Sequence, residues 1–315
     1  MQRKKKTGSH SMASPLILVC LLVVAVLTPR YIPPYAIISL NNIYMYVILT
    51  VGWAIFSGPT HYISLASAAF FGVGIYVSAI LGDVLPFPMV VFVGGLLSFL
   101  IALLVGLSSL RLRGMYFTIF TFGLSELIRH SVQWWEVNIT GTVGRIVVSV
   151  DHETVYYAML IIVLLTLAMA YFLSRSKFGL ALRGIGESET ATDHMGVNVN
   201  AVKITSFATS TFFMGTAGAI MATRWTYIDA AVAFDPLYSF IPVIMAIFGG
   251  IERIKGHIFG AVLLTLLADL LLTKFPYYYN LIYGIILVAV ILFLPRGMVG
   301  LSSLFRKGRK GGATV

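Results

Sequence analysis

Residues 87–108, FPMVVFVGGLLSFLIALLVGLS, carry no charged side chain over a length that matches the thickness of a lipid bilayer. An α-helix needs roughly 20 mostly apolar residues to cross about 30 Å of hydrocarbon, and this stretch meets both conditions. The rest of the chain has the same character, because 58% of its 315 residues are hydrophobic and 11% are charged. With a mean hydropathy of +0.92, this composition predicts an integral membrane protein rather than soluble domains.

Apolar stretches of similar length recur along the sequence and predict an all-α fold, a polytopic transmembrane helical bundle of about ten spans. The candidate spans cover approximately residues 14–29, 36–56, 62–82, 87–108, 115–133, 155–173, 204–223, 237–250, 257–273 and 280–295. A basic segment precedes the first span, as in a signal peptide, but Thr28-Pro29-Arg30 is not a small-x-small cleavage site. We therefore interpret the first span as an uncleaved helix.

The positions of Lys and Arg predict the orientation of the bundle, because short cytoplasmic loops retain positive charge. With ten spans and both termini in the cytoplasm, 17 of the 22 Lys and Arg residues fall on the inner side. An error of one span would invert half of the loops, whereas two compensating errors would give eight spans, which is the alternative. We expect one membrane domain over residues 14–301, between basic cytoplasmic tails at 1–13 and 302–315. Residues 8–12 resemble a cloning remnant, so residues 1–13 are assigned no function.

The sequence offers no pattern for catalysis, metal binding or nucleotide binding. Cys20 is the one cysteine, which excludes an internal disulfide, and the six histidines form no His-Glu-x-x-His pair. Neither a Gly-x-x-x-x-Gly-Lys-Ser/Thr phosphate loop nor a Gly-x-Gly-x-x-Gly turn is present. The basic residues lie in short clusters between apolar segments rather than in one stripe, so no nucleic acid partner is predicted.

Few ionisable residues lie within the predicted spans, and such residues are functional candidates because their burial in a membrane is costly. Glu126 and Arg129 are three residues apart and can form an ion pair on one helix face. Asp269 lies about a turn from the outer end of its helix and can reach the interface. These residues form no convincing set for ion coupling near the middle of the membrane.

Small residues recur every four positions at Ser64, Ala68 and Gly72, which predicts a helix face that a neighbouring helix can approach closely. Two interpretations stay open: ordinary packing inside the bundle, or a helix that moves or lines a pathway. Similar patterns follow at Gly215-Thr216-Ala217-Gly218-Ala219 and at Gly256 and Gly260.

The predicted inner loop, residues 174–203, contains a short helix. Ser188 can act as its N-cap, and Gly196 can supply the left-handed residue after its end. Ala191 and Met195, flanked by Ile185 and Val197, give it a small apolar face suited to a groove on another protein. A surface helix that lies on the membrane is the alternative.

Several segments together resemble a known family, and the resemblance spans most of the chain. The similar segments are Ser64–Gly72, Leu110–Phe117, Ser176–Arg183, Phe248–Gly250 and Leu292–Leu301. In order and spacing they are similar to the permease subunits of ATP-binding-cassette (ABC) importers for branched-chain amino acids, of the M type.

The resemblance implies a transporter subunit without enzymatic activity, in the cytoplasmic (inner) membrane of a bacterium or archaeon. The implied partners are a second permease subunit, two cytoplasmic ATPases that bind ATP and Mg, and an extracytoplasmic solute-binding protein. The family's ATPase-coupling helix corresponds to Glu187, Glu189, Ala191, Asp193, Met195 and Gly196. Relatives with this architecture carry urea and short amides as well as amino acids, so the solute stays open.

A permease subunit for branched-chain or related amino acids is therefore the leading functional hypothesis. The alternative is an ion-coupled secondary transporter of small solutes, whose uptake would stop when the ion gradient collapses. A structural membrane subunit without a pathway is a third possibility.

Overall fold

The computed structural model describes residues 26–29, 31–109, 112, 114–250 and 254–293, and within them the fold is an all-α bundle. Its helices are α1 Pro34–Thr60, α2 Ser67–Leu81, α3 Phe87–Ser109, α4 Met115–Trp135, α5 His152–Arg175, α6 Lys177–Glu187, α7 Glu189–His194, α8 Val199–Ala222, α9 Ala230–Ala233, α10 Leu237–Gly249, α11 Ile254–Lys274 and α12 Tyr279–Phe293. A π-helical turn, Glu136–Thr140, extends α4. The short strands β1 Arg145–Ile146 and β2 Tyr227–Ile228 pair antiparallel and join the loops after α4 and α8.

A helix occupies each predicted span from the second to the tenth, which confirms the helical membrane bundle. Within the described residues, five helical segments are long and apolar enough to cross a membrane by length and composition. They are Pro34–Thr60, Phe87–Ser109, His152–Arg175, Ala230–Gly249 and Ile254–Lys274. The first predicted span lies mostly outside the described residues, and both basic tails lie wholly outside them. The number of ten spans stays a prediction.

The third predicted span starts too early, because α2 begins only at Ser67. The residues before it are non-helical, and side chains of other helices satisfy their carbonyl groups. Trp53 Nε1 donates to the Ser64 carbonyl oxygen at 2.8 Å, and Thr118 Oγ1 donates to that of Ile63 at 2.9 Å. These tertiary hydrogen bonds stabilise a non-helical segment before α2 that hydropathy alone does not reveal.

Glycines bring α2, α3 and α8 into backbone contact. A Cβ built on Gly74 of α2 would overlap the carbonyl oxygen of Gly215 on α8. A Cβ on Gly218, one turn further along α8, would overlap the carbonyl oxygen of Phe71. The predicted small-residue pattern on α8 is thus a close helix–helix interface, of the kind that holds membrane helices together by van der Waals packing.

A second glycine interface joins α10 and α11. A Cβ on Gly256 would overlap the carbonyl oxygen of Gly249, and a Cβ on Gly260 would overlap that of Met245. The Gly256 and Gly260 pattern therefore packs α11 against α10 as the sequence predicts. Helix α1 lies between the two groups, in contact with α8 on one side and with α10 and α11 on the other.

Candidate coupling site and solute cavities

Local signals in the sequence define α7, the candidate coupling helix. Ser188 Oγ accepts a hydrogen bond from the Ala191 backbone N–H at 3.3 Å and so caps the first turn. Gly196 has φ = +83°, a left-handed conformation that glycine adopts without strain. Both ends of the helix are therefore formed as the sequence predicts.

Most of the predicted coupling residues are exposed: Glu187, Ala191, Asp193, Met195 and Gly196 all face solvent. The Met195 side chain is 72% exposed, so α7 presents an apolar surface that nothing in the described part of the chain covers. Ile185 was expected to flank this face, and that expectation is wrong. Ile185 is only 2% exposed, because the amphipathic helix α6 buries that side against the bundle.

Glu189 is oriented differently from its neighbours, because its carboxylate points toward the bundle. Glu189 Oε1 lies 2.7 Å from Lys203 Nζ and accepts a hydrogen bond from the Tyr62 hydroxyl at 2.6 Å. The Lys203 ammonium also sits over the Tyr62 ring, 4.2 Å from its centroid. Lys203 is 1% exposed, so this is a buried ion pair that ties α7 to the first turns of α8.

The small residues Ser64, Ala68 and Gly72 lie inside the bundle. Ser64 precedes α2, so the three do not share one helix face as predicted. The Ala68 N–H donates to Ser239 Oγ at 2.9 Å, and a Cβ on Gly72 would overlap the Phe234 ring. Residues 68 and 72 therefore pack against α9 and α10, which favours the packing interpretation over a pathway lining.

The intramembrane charges separate into two groups. Arg129 Nη1 donates to Glu126 Oε2 at 3.3 Å, which confirms the predicted pair, and His130 Nε2 lies 3.8 Å from the same oxygen. Asp269 is partly buried near the end of α11, and its place relative to the membrane interface stays a prediction. Its carboxylate accepts a hydrogen bond from Ser39 of α1 and borders a cavity.

This cavity, called the Arg224 cavity, has a volume of about 270 Å³. Arg224 lies in the loop that follows α8 and donates a hydrogen bond to Asn42 Oδ1 of α1. Burial lowers the pKa of the Arg224 guanidinium, while Tyr238 and Asp269 act in the opposite direction. Sequence analysis missed Arg224 because it was counted only as a loop charge. The cavity is lined by Asn42, Met45, Tyr46, Met221, Arg224, Trp225, Tyr238, Ile241, Met245, Thr265, Ala268, Asp269, Leu272, Tyr279 and Tyr283.

The α7 end of the bundle has a second cavity, with a volume of about 410 Å³. His61, Arg183, Glu187 and His257 line it together with apolar residues of α1 and α5. Arg224 follows the last turn of α8 and Lys203 lies in its first turns, so the two cavities are at opposite ends of the bundle. At 1.5 Å per residue, about 30 Å of helix separates Lys203 from Arg224. Helix α11 lines both cavities.

These features define a multi-pass membrane permease, with solute-sized cavities at both ends of a helical bundle and a short exposed helix, α7, at one end. The family model described as "branched-chain amino acid transport system / permease component" matches residues 35–291. The chain belongs to this family, whose members are permease subunits of ABC importers. Such importers also contain ATPase and solute-binding components.

Curated relatives agree with this assignment. The chain is 26% identical to the high-affinity branched-chain amino acid transport system permease protein LivM of Salmonella typhimurium, over 95% of this chain and 78% of the relative. Identity to LivM of Escherichia coli is 25% over the same shares of both chains. A probable LivH permease of Methanocaldococcus jannaschii is 26% identical over 46% of this chain and 48% of the relative. No solved structure is significantly similar to the chain.

Proposed function

We propose that this chain forms part of the transmembrane pathway of an ATP-driven importer for branched-chain or related amino acids. The observation that carries the proposal is α7, a capped helix with an exposed apolar face that a buried ion pair fixes to the membrane bundle. An exposed Met195 and Ala191 on a rigidly attached helix suit a groove on a partner ATPase. The relatives are branched-chain amino acid permeases by name, and this suggests an amino acid as the solute.

In this proposal the chain has ten spans with both termini in the cytoplasm of a bacterium or archaeon. Residues 14–301 form the membrane domain, and residues 174–203 form the coupling loop. Three observations support this orientation: the excess of Lys and Arg on one side, the position of α7 on that side, and the Arg224 cavity at the opposite end. The Arg224 cavity then faces the solute-binding protein.

The working complex contains a second permease subunit, two ATPases and the solute-binding protein. The ATPases bind ATP and Mg, and this chain contributes no nucleotide site and no catalytic residue. Glu187, Ala191, Asp193, Met195 and Gly196 contact an ATPase, whereas Glu189 holds α7 in place through Lys203. Ser64, Ala68 and Gly72 pack the bundle.

The decisive experiment introduces Ala191→Arg into the complete complex, reconstituted in vesicles with its ATPases and binding protein. A charged side chain on the docking face should lower ATP-driven leucine uptake about tenfold, the equivalent of roughly 1.4 kcal/mol lost at the interface. The amount of assembled membrane domain should stay unchanged. Asn200→Arg, an exposed position of α8 outside the proposed docking set, is the matched control.

Two outcomes contradict the proposal. Normal uptake by the Ala191→Arg complex shows that α7 is not the docking helix. Uptake that persists without ATP and stops when a protonophore collapses the ion gradient identifies the ion-coupled alternative.

A further inference from the structure

Two opposite charges border the Arg224 cavity, and each is bonded to a neutral side chain of α1 rather than to the other. Arg224 donates to Asn42, and Asp269 accepts from Ser39. In the part of the chain that the structure describes, the ion pairs within 4.0 Å lie elsewhere, at Glu126 and Glu189. Their partners Asn42 and Ser39 lie three residues apart on α1, so this helix holds both charges at the cavity without an ion pair between them.

Both charged groups keep unused hydrogen-bonding capacity. A guanidinium has five N–H donors, and a carboxylate has about four acceptor positions. The bonds to Asn42 and Ser39 use only part of each set. No nitrogen of Arg224 and no oxygen of Asp269 is fully buried without a partner, so the unused positions are open to water and to a polar ligand of matching charge.

The contrast with the other end of the bundle is informative. Lys203 and Glu189 meet directly at 2.7 Å, so each already compensates the charge of the other. Arg224 and Asp269 both line the cavity and form no ion pair within 4.0 Å. Such a separated pair complements a zwitterion, because the ligand carboxylate can face the Arg224 guanidinium while the ligand ammonium faces the Asp269 carboxylate.

The remaining walls of the Arg224 cavity are suited to an aliphatic side chain. Its volume, about 270 Å³, is close to the lower end of the range for ligand pockets, roughly 300 Å³, and fits a small solute. Methionine adapts its shape to apolar ligands, so these walls admit branched chains of different outline. The aliphatic and methionine wall residues are Met45, Met221, Ile241, Met245, Ala268 and Leu272, and four tyrosines complete the wall beside them.

We propose that the Arg224 cavity binds the zwitterion of an aliphatic α-amino acid. Arg224 binds its carboxylate, Asp269 binds its ammonium, and the side chain lies against the methionines and Ile241. The inference rests on the proposed import function but makes a separate claim, namely that the membrane subunit itself recognises both charges of the solute. The solute-binding protein then is not the sole source of selectivity.

The test measures equilibrium binding of radiolabelled L-leucine to the purified, nucleotide-free complex without its binding protein. Two competitors each lack one charge: leucinamide has no carboxylate, and 4-methylpentanoate has no ammonium. With the native complex, each should compete at least about tenfold more weakly than leucine, since one charged hydrogen-bond partner is lost.

The variants should change the pattern of competition, not only the amount of binding. Arg224→Gln should abolish the preference for leucine over leucinamide and preserve the preference over 4-methylpentanoate. Asp269→Asn should do the reverse. Lys274→Gln removes an exposed charge from the same helix as Asp269 and is the control that should change neither ratio.

A merely structural role for Arg224 and Asp269 would lower all affinities together. If either variant does not assemble, Arg224→Lys and Asp269→Glu replace it and should weaken the corresponding preference.

Three results overturn the inference: no leucine binding without the binding protein, equal competition by all three probes, or unchanged ratios in both variants. Each can occur while ATP-driven leucine uptake is normal, in which case the proposed function survives and the cavity assignment fails. Absence of ATP-driven leucine uptake by the native complex contradicts the proposed function instead, and the binding ratios still decide the cavity.

Discussion

The ion pair between Glu189 and Lys203 should control how firmly α7 is attached to the bundle. Lys203 is 1% exposed, whereas the Glu189 side chain is 16% exposed and also accepts a bond from Tyr62. Removal of one partner from a buried pair costs about 3–5 kcal/mol when the remaining charge stays buried. Glu189→Gln leaves Lys203, the more deeply buried charge, without its carboxylate partner, so a loss of about 3–5 kcal/mol is expected. Lys203→Met leaves a carboxylate that still reaches Tyr62 and water, so about 1–3 kcal/mol is expected.

These energies can be measured through the exposure of Thr192, which lies on the buried face of α7 and is 2% exposed. Thr192→Cys in a Cys20→Ser background gives a chain with a single thiol, and maleimide labels that thiol only when α7 detaches. A loss of 3 kcal/mol increases the detached population about 150-fold, because each 1.4 kcal/mol is a factor of ten. Labelling should therefore accelerate more in Glu189→Gln than in Lys203→Met.

The double variant Glu189→Met with Lys203→Met provides the control. It removes both charges, so its labelling should be slower than in Glu189→Gln. The reasoning is refuted if both single variants label as slowly as the chain with the pair intact.

Three further predictions concern packing and capping. Gly74→Ala should lower the yield and thermal stability of the complex, because its Cβ would overlap a backbone carbonyl of α8. Gly123→Ala is the control: no atom lies within 4 Å of its new Cβ, so this variant should be neutral or slightly stabilising. Gly72→Leu should destabilise by about 1–3 kcal/mol through overpacking, measured as a lower melting temperature, and Phe234→Ala should restore part of that loss; no recovery would show that the two do not compete for space. Ser188→Ala should destabilise α7 by about 1 kcal/mol and accelerate labelling at position 192 about fivefold; an unchanged rate would mean that the cap contributes nothing.

The sequence predicts those features that depend on neighbouring residues. Apolar runs locate the helices from the second span to the tenth, since burial of about 20 apolar residues has one structural solution in a membrane. Ser188 and Gly196 fix the ends of α7, and both could be predicted because a cap acts on residues within one turn of it. The pair of Glu126 and Arg129 is likewise local to one helix.

Features that join distant segments could not be predicted in this way. The break before α2 depends on a hydrogen bond from Trp53 to Ser64, and no local signal marks it. Lys203 of α8 pairs with Glu189 of α7, and Asp269 of α11 shares a cavity with Arg224 of the loop after α8. The sequence shows Lys203, Glu189, Asp269 and Arg224 as single charges, but it does not show which of them come together.

The glycine contacts of α8 have a mechanical consequence. This helix of 24 residues contains no proline, and its backbone touches α2 at Gly215 and Gly218, so bending it would separate surfaces that are already in contact. We therefore expect α8 to move as one rigid body, with Lys203 near its first residue and Arg224 just beyond its last. If α7 tilted the Lys203 end of α8, the other end would tilt with it. The size of that tilt would then determine how far Arg224 moves from Asp269.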